Sequence, residues 1–416
     1  MGNHTNSHAS RADTARRPGA PIRRRSLITL AGLGALSPAI LSACSSRSGK
    51  ASSSGTGGHI DTLRVHIPTT LAYMAPMTLF GGQGKLAPTI GKATVENWSS
   101  IDAMKTLLMQ KQTDLAATPS YAAANLFNKG VPLRLVAMQV WGMLYIIGPE
   151  GTSEQGLEAL RGKTVAVPMP NNMPDLVFRY LLGQKGWDTS KDLTIQSYTD
   201  GQEALSNLLA GNAEFAVLPE HPASVSLTKA KQQGKILERT ADLQQIWAEV
   251  TGGEAKFPMA GLVMPQEITD SNPQAVGAVL NEVEACIAAT NAKSEETINA
   301  ISQKTEVPAP IVTEVIPRLQ LNLVPAARAK DQLVDFYTRL STVSPDIVGG
   351  KMPADDFYLK DPRWPRTCHH PSFAGAHVFC GGPVSAWPSS SGTGPHWTSP
   401  STPFPVRRRP GAPSWG

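Results

Sequence analysis

The chain reads as an α/β protein of two lobes followed by a helical segment, and three observations predict this. Short apolar or β-rich runs alternate with helix-period segments from residue 63 to residue 264, the signature of parallel sheets with helical crossovers. From Asn272 onward the pattern is helical only. Between these regions the chain shows two places where it passes from one alternating series to another, and both read as lobe crossings.

In chain order, the first element is a targeting segment. Arg23-Arg24-Arg25-Ser26-Leu27-Ile28-Thr29 opens an apolar run that ends at Leu41-Ser42-Ala43-Cys44. The seventeen residues 27–43 are interrupted by Gly32, Gly34 and Pro38, and fall short of the ~20 apolar residues that a spanning helix needs. The small side chains of Ser42 and Ala43 leave the Cys44 thiol open to a processing enzyme. Leu-Ser-Ala-Cys resembles a bacterial lipobox, and Arg24-Arg25-Ser26-Leu27-Ile28 resembles a twin-arginine export signal. The resemblance implies cleavage before Cys44 and acylation of its sulfur and new amino terminus. Several acyl chains, at ~0.8 kcal/mol per buried methylene, hold a protein on a membrane where one myristoyl chain does not. Residues 1–43 are thus a signal peptide. Residues 44–60, rich in Ser and Gly, are a flexible tether.

Strand signals then occur at 63–67, 94–98, 115–117, 133–147, 164–167, 193–198, 215–218 and 261–264. Helix-period segments lie at 101–111, 121–129, 176–186, 203–210 and 222–233, and after Asn272 at 275–291, 295–303, 309–319 and 327–340. One crossing follows the long apolar run 136–147, which ends at Gly148-Pro149. The other is the strand within 256–264, closed by Pro265. These place one lobe in 61–147 and 259–360, and the other in 148–258.

Charge narrows the function classes. Residues 1–50 carry eight Arg or Lys against one Asp, and residues 361–416 carry five Arg against one Asp. The intervening 51–360 holds 25 basic and 31 acidic residues. The basic character of the chain therefore sits at its two ends, and the folded part lacks the basic face of a nucleic-acid binder. Of the four cysteines, Cys44 goes to lipid and Cys286 falls in an apolar helical pattern, where it reads as a small buried hydrophobe. Cys368 and Cys380 lie in the tail.

In parallel α/β sheets, ligands sit beyond the carboxyl ends of the strands, where helix N-termini aim backbone N–H groups at the crevice. The residues at those ends are Thr69, Thr70 and Tyr73; Trp98, Ser99 and Ser100; Thr118, Ser120 and Tyr121; Asn171 and Asn172; and Glu220 and His221. Trp141, near the first crossing, is a further aromatic candidate. Ser100, Ser120 and Asn172 serve equally well as helix caps, and the tryptophans as core aromatics. Proline on both sides of Glu220-His221 restricts that pair. No Arg or Lys stands at these turns. His221 is the only histidine between residues 67 and 360, which argues against a metal site in the lobes. No Gly-x-Ser-x-Gly, His-Glu-x-x-His or phosphate-binding Gly-rich motif with Lys is present, so nothing marks an enzyme.

The acylated leader, the strand-end turns, Gly162-Lys163-Thr164-Val165-Ala166-Val167 and Leu218-Pro219-Glu220-His221-Pro222 together resemble the nitrate/sulfonate/taurine and thiamine-precursor group of ABC-transporter solute-binding lipoproteins. The likeness runs from about Asp61 to Tyr358, including the ending Gly349-Gly350-Lys351-Met352-Pro353-Ala354-Asp355-Asp356-Phe357-Tyr358. It implies the type II periplasmic-binding fold: two α/β lobes joined by two crossover strands. It also implies a monomer, exported and lipid-anchored, that needs no cofactor. Such a protein captures a small solute and delivers it to a membrane permease driven by an ATPase. By position, Thr69, Thr70, Ser99, Ser120, Asn171, Asn172 and Glu220 match family pocket turns. A buried Glu220 with no nearby cation favours an amine, amide or pyrimidine-like ring over an oxyanion, because a hydrogen bond to a charged group contributes ~1.5–3 kcal/mol. Two other functions fit the same elements: an enzyme of this fold related to pyrimidine-precursor synthases, and a sensor or interaction lipoprotein.

From about Arg363 the composition changes to Pro, Ser, Gly, Trp and Arg without periodicity. Cys368, His369, His370, His377 and Cys380 match no common zinc spacing. Residues 361–416 read as a disordered tail or as the out-of-frame end of a GC-rich gene. The intact mass of the native protein decides between a retained and an absent tail: a product ending near Lys360 or Arg366 would dispose of any role for it.

Overall fold

A computed structural model describes residues 58–363. The leader, Cys44, most of the tether and the tail beyond residue 363 lie outside the described residues. Among the described residues eleven strands form two sheets. The first six-stranded sheet contains β1 (Ile60–Pro68), β2 (Ile90–Trp98), β3 (Leu115–Pro119), β4 (Leu133–Val140), β10 (Ala260–Pro265) and β11 (Leu321–Pro325), in the order β11-β4-β10-β3-β1-β2. The second contains β5 (Leu144–Pro149), β6 (Thr164–Pro168), β7 (Thr194–Tyr198), β8 (Phe215–Pro219) and β9 (Leu237–Asp242), in the order β7-β6-β8-β5-β9.

Helices α1 (Leu71–Met77), α2 (Ile101–Met109) and α3 (Ser120–Asn128) follow β1, β2 and β3. In the second lobe α4 (Met173–Gln184), α5 (Gly201–Ala210), α6 (Glu220–Gln232) and α7 (Leu243–Thr251) follow β6, β7, β8 and β9. After β10 come α8 (Gln266–Ser271), α9 (Pro273–Ala292), α10 (Glu295–Thr305), α11 (Ala309–Val315) and α12 (Ala326–Ser341). A 3-10 turn, Ile316–Leu319, follows α11. The two-lobed α/β fold is thus as the alternation predicts.

The sheets are mixed, however, and not purely parallel. β1 pairs in parallel with β2 and β3, and β6 with β7 and β8. β10 returns from the second lobe and inserts antiparallel between β3 and β4, while β5 enters the second lobe antiparallel to β8 and β9. A strand that carries the chain from one lobe to the other arrives with reversed direction, which a helical crossover cannot provide. The first crossing falls at residues 141–143, ahead of the position after Ile147 that the sequence suggests. One unbroken apolar run holds two buried strands, β4 and β5, and hydropathy alone does not mark their boundary. Gly142 makes the break, with φ of 137° and a position where a Cβ would stand 2.5 Å from Gln244 Cγ.

The sequence reading also passes over β9, whose Leu-Glu-Arg-Thr-Ala-Asp has little β-forming character, and over α1, α7, α8 and β11. At the end of the described residues Asp361 and Arg363 lie on the folded body: Arg363 Nη1 meets Glu284 at 2.7 Å and Asn281 at 3.1 Å on α9.

The core spans both lobes. Tyr180 of α4, Trp247 of α7, Phe257 of the second crossing and Phe336 of α12 form one aromatic group with ring centroids 5.4–5.8 Å apart. α12 packs on β4 and β11 of the first sheet and on α4 of the second lobe, so this group joins the lobes. Such aromatic pairs contribute about 0.5–1.5 kcal/mol each beyond their burial.

One buried carboxylate shapes the first lobe. Glu282 of α9 is fully buried and accepts hydrogen bonds from the backbone N–H groups of Gly81, Gln83 and Lys85, each 2.8 Å long. It closes the Gly-rich loop after α1 onto α9. Four residues along, burial pushes the Cys286 thiol up to about 12, so this cysteine is an inert apolar filler. Replacing Glu282 by Ala leaves three inward-facing N–H groups without an acceptor. Glu282→Ala is expected to lower the unfolding free energy by about 3 kcal/mol or more, measured by urea titration. Glu282→Gln, which keeps a carbonyl oxygen, should fall between; equal stability of the Ala variant would show that the loop is not held by this carboxylate.

Candidate interlobe binding site

The carboxyl ends of β1, β2 and β3 carry Thr69, Thr70, Ser99, Ser100 and Thr118, and those of β6 and β8 carry Asn171, Asn172 and Glu220. The lobes meet directly between these turns: the Tyr121 hydroxyl on α3 donates to Asn172 Oδ1 at 2.7 Å. Burial drives the Tyr121 phenol well above its usual pKa, so it stays a donor at any physiological pH.

The turn after β6 is built with strain. Met169 and Asn171 both take the left-handed region, with φ of 54° and 59°, a conformation costing roughly 1–2 kcal/mol for a residue with a Cβ. Asp175 holds this turn, accepting from the Asn171 N–H at 2.8 Å while it receives Arg179 Nε at 2.6 Å. Asn172 Nδ2 returns to Pro170 O at 3.2 Å. The outcome is an exposed Asn171 and an Asn172 whose oxygen faces the other lobe.

Several sequence candidates spend their polar atoms on the backbone. Tyr73 donates to Gly261 O at 3.0 Å, and Trp98 Nε1 to Ala117 O at 3.0 Å. The Ser100 hydroxyl caps α2 through Ala103 N–H. Ser120 is buried and donates to Pro258 O at 2.7 Å, while its backbone N–H reaches Met259 O and its carbonyl accepts from Tyr337. It anchors the second crossing. Trp141 is buried at the first crossing with Nε1 on Asn322 O, beside a hollow of about 380 Å³ that Lys256, Trp247 and Arg339 also line. Thr118 is buried, whereas Thr69, Ser99 and Asn171 are exposed and Thr70 and Asn172 half-buried.

Glu220 departs most from the sequence expectation. It is fully buried, and the structure brings to it the cations that the turn residues lack. Arg239 Nη2, from β9, lies 2.7 Å from Glu220 Oε1, and Arg318 Nη1, from the 3-10 turn after α11, lies 3.5 Å away. Ser224 donates to the same oxygen at 2.6 Å and Arg239 to the Ser224 hydroxyl at 2.8 Å. Arg239 also stands 5.4 Å from the Tyr145 ring. A cation-free carboxylate is therefore not what the cleft contains. Two atoms stay unpaired within the group, Glu220 Oε2 and Arg239 Nε.

Sequence reasoning missed Arg239 because it sits in an unrecognised strand. It missed Arg318 because that residue lies almost a hundred positions from Glu220 along the chain. The Glu314–Arg318 spacing of four was a legible helix pair, but its apposition to Glu220 was not. Next to this group, burial pushes the His221 imidazole below its usual pKa and favours the neutral ring.

Burial, outweighing Ser224 and the two arginines, raises the Glu220 carboxyl above its usual value. A carboxyl with a raised folded pKa contributes stability that is present below its unfolded pKa and is lost as pH rises through the folded one. Glu220→Gln, which cannot ionise, should therefore compare better with the parent at pH 7 than at pH 4 in urea unfolding. A difference running the other way would show that the arginines outweigh desolvation.

Comparison with known proteins agrees with this architecture. A family model described as ABC transporter, phosphonate, periplasmic substrate-binding protein matches residues 92–248. No curated protein sequence matches the chain. An ABC transporter protein from Parabacteroides distasonis superposes with a TM-score of 0.60 at 24% identity, over 72% of this chain and 99% of that one. The periplasmic aliphatic sulphonate-binding protein of Escherichia coli gives 0.57 at 15% identity, over 78% and 97%. The periplasmic nitrate-binding protein of Synechocystis gives 0.52 at 15%, over 70% and 85%. At these identities the structural likeness concerns the fold, and the family match is a likeness over part of the chain. The chain thus has the fold of periplasmic substrate-binding proteins and, over residues 92–248, is similar to those of ABC transporters.

Proposed function

We propose that the chain captures a small organic solute bearing an oxyanion group between its lobes. It then presents the closed complex to an ABC permease and its ATPase while tethered through lipid on Cys44. The observation that carries the solute class is the neutralisation of Glu220 by Arg239 and Arg318. With the carboxylate paired inside the protein, its repulsion of an anion is offset. The turns offer neutral donors instead: Thr69, Thr70, Ser99 and Asn171, together with the backbone N–H groups at the start of α2 and α4. Hydroxyls and helix N-termini suffice to hold an oxyanion. The matched family is described for phosphonates, and two of the superposed proteins are named for sulphonate and nitrate.

A second solute class has one observation in its favour. Glu220 Oε2 accepts no hydrogen bond, and a neutral pyrimidine-like or amide ring could supply the N–H that this oxygen lacks. Nothing in the strand-end turns supplies a nucleophile with its base, so capture and release is the reading, not turnover.

Among the described residues no helix is long and apolar enough to cross a membrane; attachment through Cys44 rests on the lipobox-like Leu41-Ser42-Ala43-Cys44. The mass measurement that reads the tail also reads this end, which should begin at an acylated Cys44. A thermal-shift screen of the full chain against phosphonates, sulphonates, nitrate, pyrimidines and amines tests the solute. A ligand at a hundred times its dissociation constant should add about 2.7 kcal/mol of stability, with the oxyanions expected to score. Stabilisation by pyrimidines or amines alone would overturn the oxyanion reading, and conversion of any hit would overturn the receptor reading.

A further inference from the structure

We infer that Glu314 and Arg318 form the first-lobe half of an ion latch that holds the two lobes closed on their solute. The inference rests on the receptor reading only in requiring that the lobes open and close.

The latch has two halves, each complete in itself. In the second lobe Arg239 Nη2 bonds Glu220 Oε1 at 2.7 Å. On the C-terminal helical segment Arg318 Nη1 bonds Glu314 Oε1 at 3.1 Å, one helical turn apart in sequence. That segment belongs with the first lobe: α11 packs on α10, and the turn after it on α9, which itself lies on α1 and β11. α11 also touches α6 of the second lobe, and there the two halves meet head to tail. Arg318 Nη1 stands 3.5 Å from Glu220 Oε1, and Arg239 Nη1 stands 3.9 Å from Glu314 Oε1. Both cross-lobe contacts are opposite in sign, and the four charges sum to zero.

This arrangement suits a contact that must break repeatedly. Opening separates two neutral pairs and strands no charge, since each arginine keeps the carboxylate of its own lobe. Removing one partner from a buried pair is what costs most, and here neither partner is lost. Burial is graded to match: the side chains of Glu220 and Arg239 are 0% and 19% exposed, those of Arg318 and Glu314 34% and 50%. The inner half stays fixed in its lobe and the outer half is accessible to water on release. The other large contact between the lobes is of a different kind. The aromatic group of Tyr180, Trp247, Phe257 and Phe336 is apolar and continuous with the crossing. It behaves as the pivot, and the ion cluster as the part that parts.

The test reverses only the cross-lobe contacts. Exchanging Glu314→Arg with Arg318→Glu keeps the pair within the helical segment and the net charge, but sets like charges against Glu220 and Arg239. Opening is read in the full chain, without solute, by energy transfer between fluorescent residues introduced at exposed Lys92 and Glu154, one in each lobe. The exchange is expected to lower the closed-to-open ratio at least about fivefold, equal to about 1 kcal/mol. In 1 M salt, where the Debye length falls to about 3 Å, it should approach the parent. Glu314→Gln, removing one cross-lobe contact, should move the ratio part of the way. An unchanged ratio at low salt, or a change that salt does not reduce, overturns the latch. Because no solute is present, a failed latch leaves solute capture standing, and a failed solute screen leaves the latch standing.

Discussion

The architecture depends on a short backbone pairing between the two crossing segments. Met259 N–H donates to Val140 O at 3.0 Å, and Phe257 N–H to Trp141 O at 2.9 Å. A single crossing strand would let the lobes turn about any axis. Two strands bonded to each other restrict the motion to bending across the pair, the hinge type of closure. The residues around it are spent on keeping it in register. Gln244 is buried and bonds both the N–H and the C=O of Leu144, while Ser120 bonds both Pro258 and Met259. Gly142 is required because a side chain there would occupy the space of Gln244.

From that pairing the remaining chemistry divides by side. Near the crossings the contacts between lobes are apolar, made by aromatic rings from α4, α7, the second crossing and α12. Away from them the contacts are polar, with Tyr121 on Asn172 and the Glu220 cluster on α11. Apolar burial is non-directional and persists through small rotations, whereas hydrogen bonds and ion pairs weaken steeply once geometry is lost. If the lobes open and close as proposed, a few polar contacts of modest strength are the ones that break. A solute needs only to tip an equilibrium of a few kcal/mol.

Much of this fold was legible in the sequence because strand and helix periods alternate so regularly. The strand ends at Thr69, Ser99, Asn171 and Glu220 fall where the pattern places them, and Asn272 marks the change to helices. What escaped had physical reasons. β4 and β5 are both buried on all sides, so their junction at Gly142 carries no hydropathy signal. β9 is an edge strand of mostly polar residues, and with it went Arg239. Ser120, Tyr73 and Trp141 had the right residue types for a pocket, but their hydroxyl and indole groups satisfy the backbone of the second crossing, of β10 and of β11. A polar side chain near a strand end has two uses, and only its bonding partner distinguishes them.

The pairing of Glu220 also changes how selectivity arises. A lone buried carboxylate would select by charge, admitting cations and excluding anions over several ångströms. Once Arg239 and Arg318 cancel it, the long-range field of the cleft falls and discrimination passes to contacts at hydrogen-bond range. The exposed hydroxyls and amides on both sides are neutral donors at fixed positions, the Asn171 amide held by a turn whose strain Asp175 supports. Donors of this kind distinguish solutes by the geometry of their oxygens more than by their net charge. A receptor with such a cleft can hold an anion without a cation of its own at the point of contact, and can release it without breaking an ion pair to the solute. The charged groups remain within the protein, where they bear on the motion of the lobes and not on the identity of the ligand.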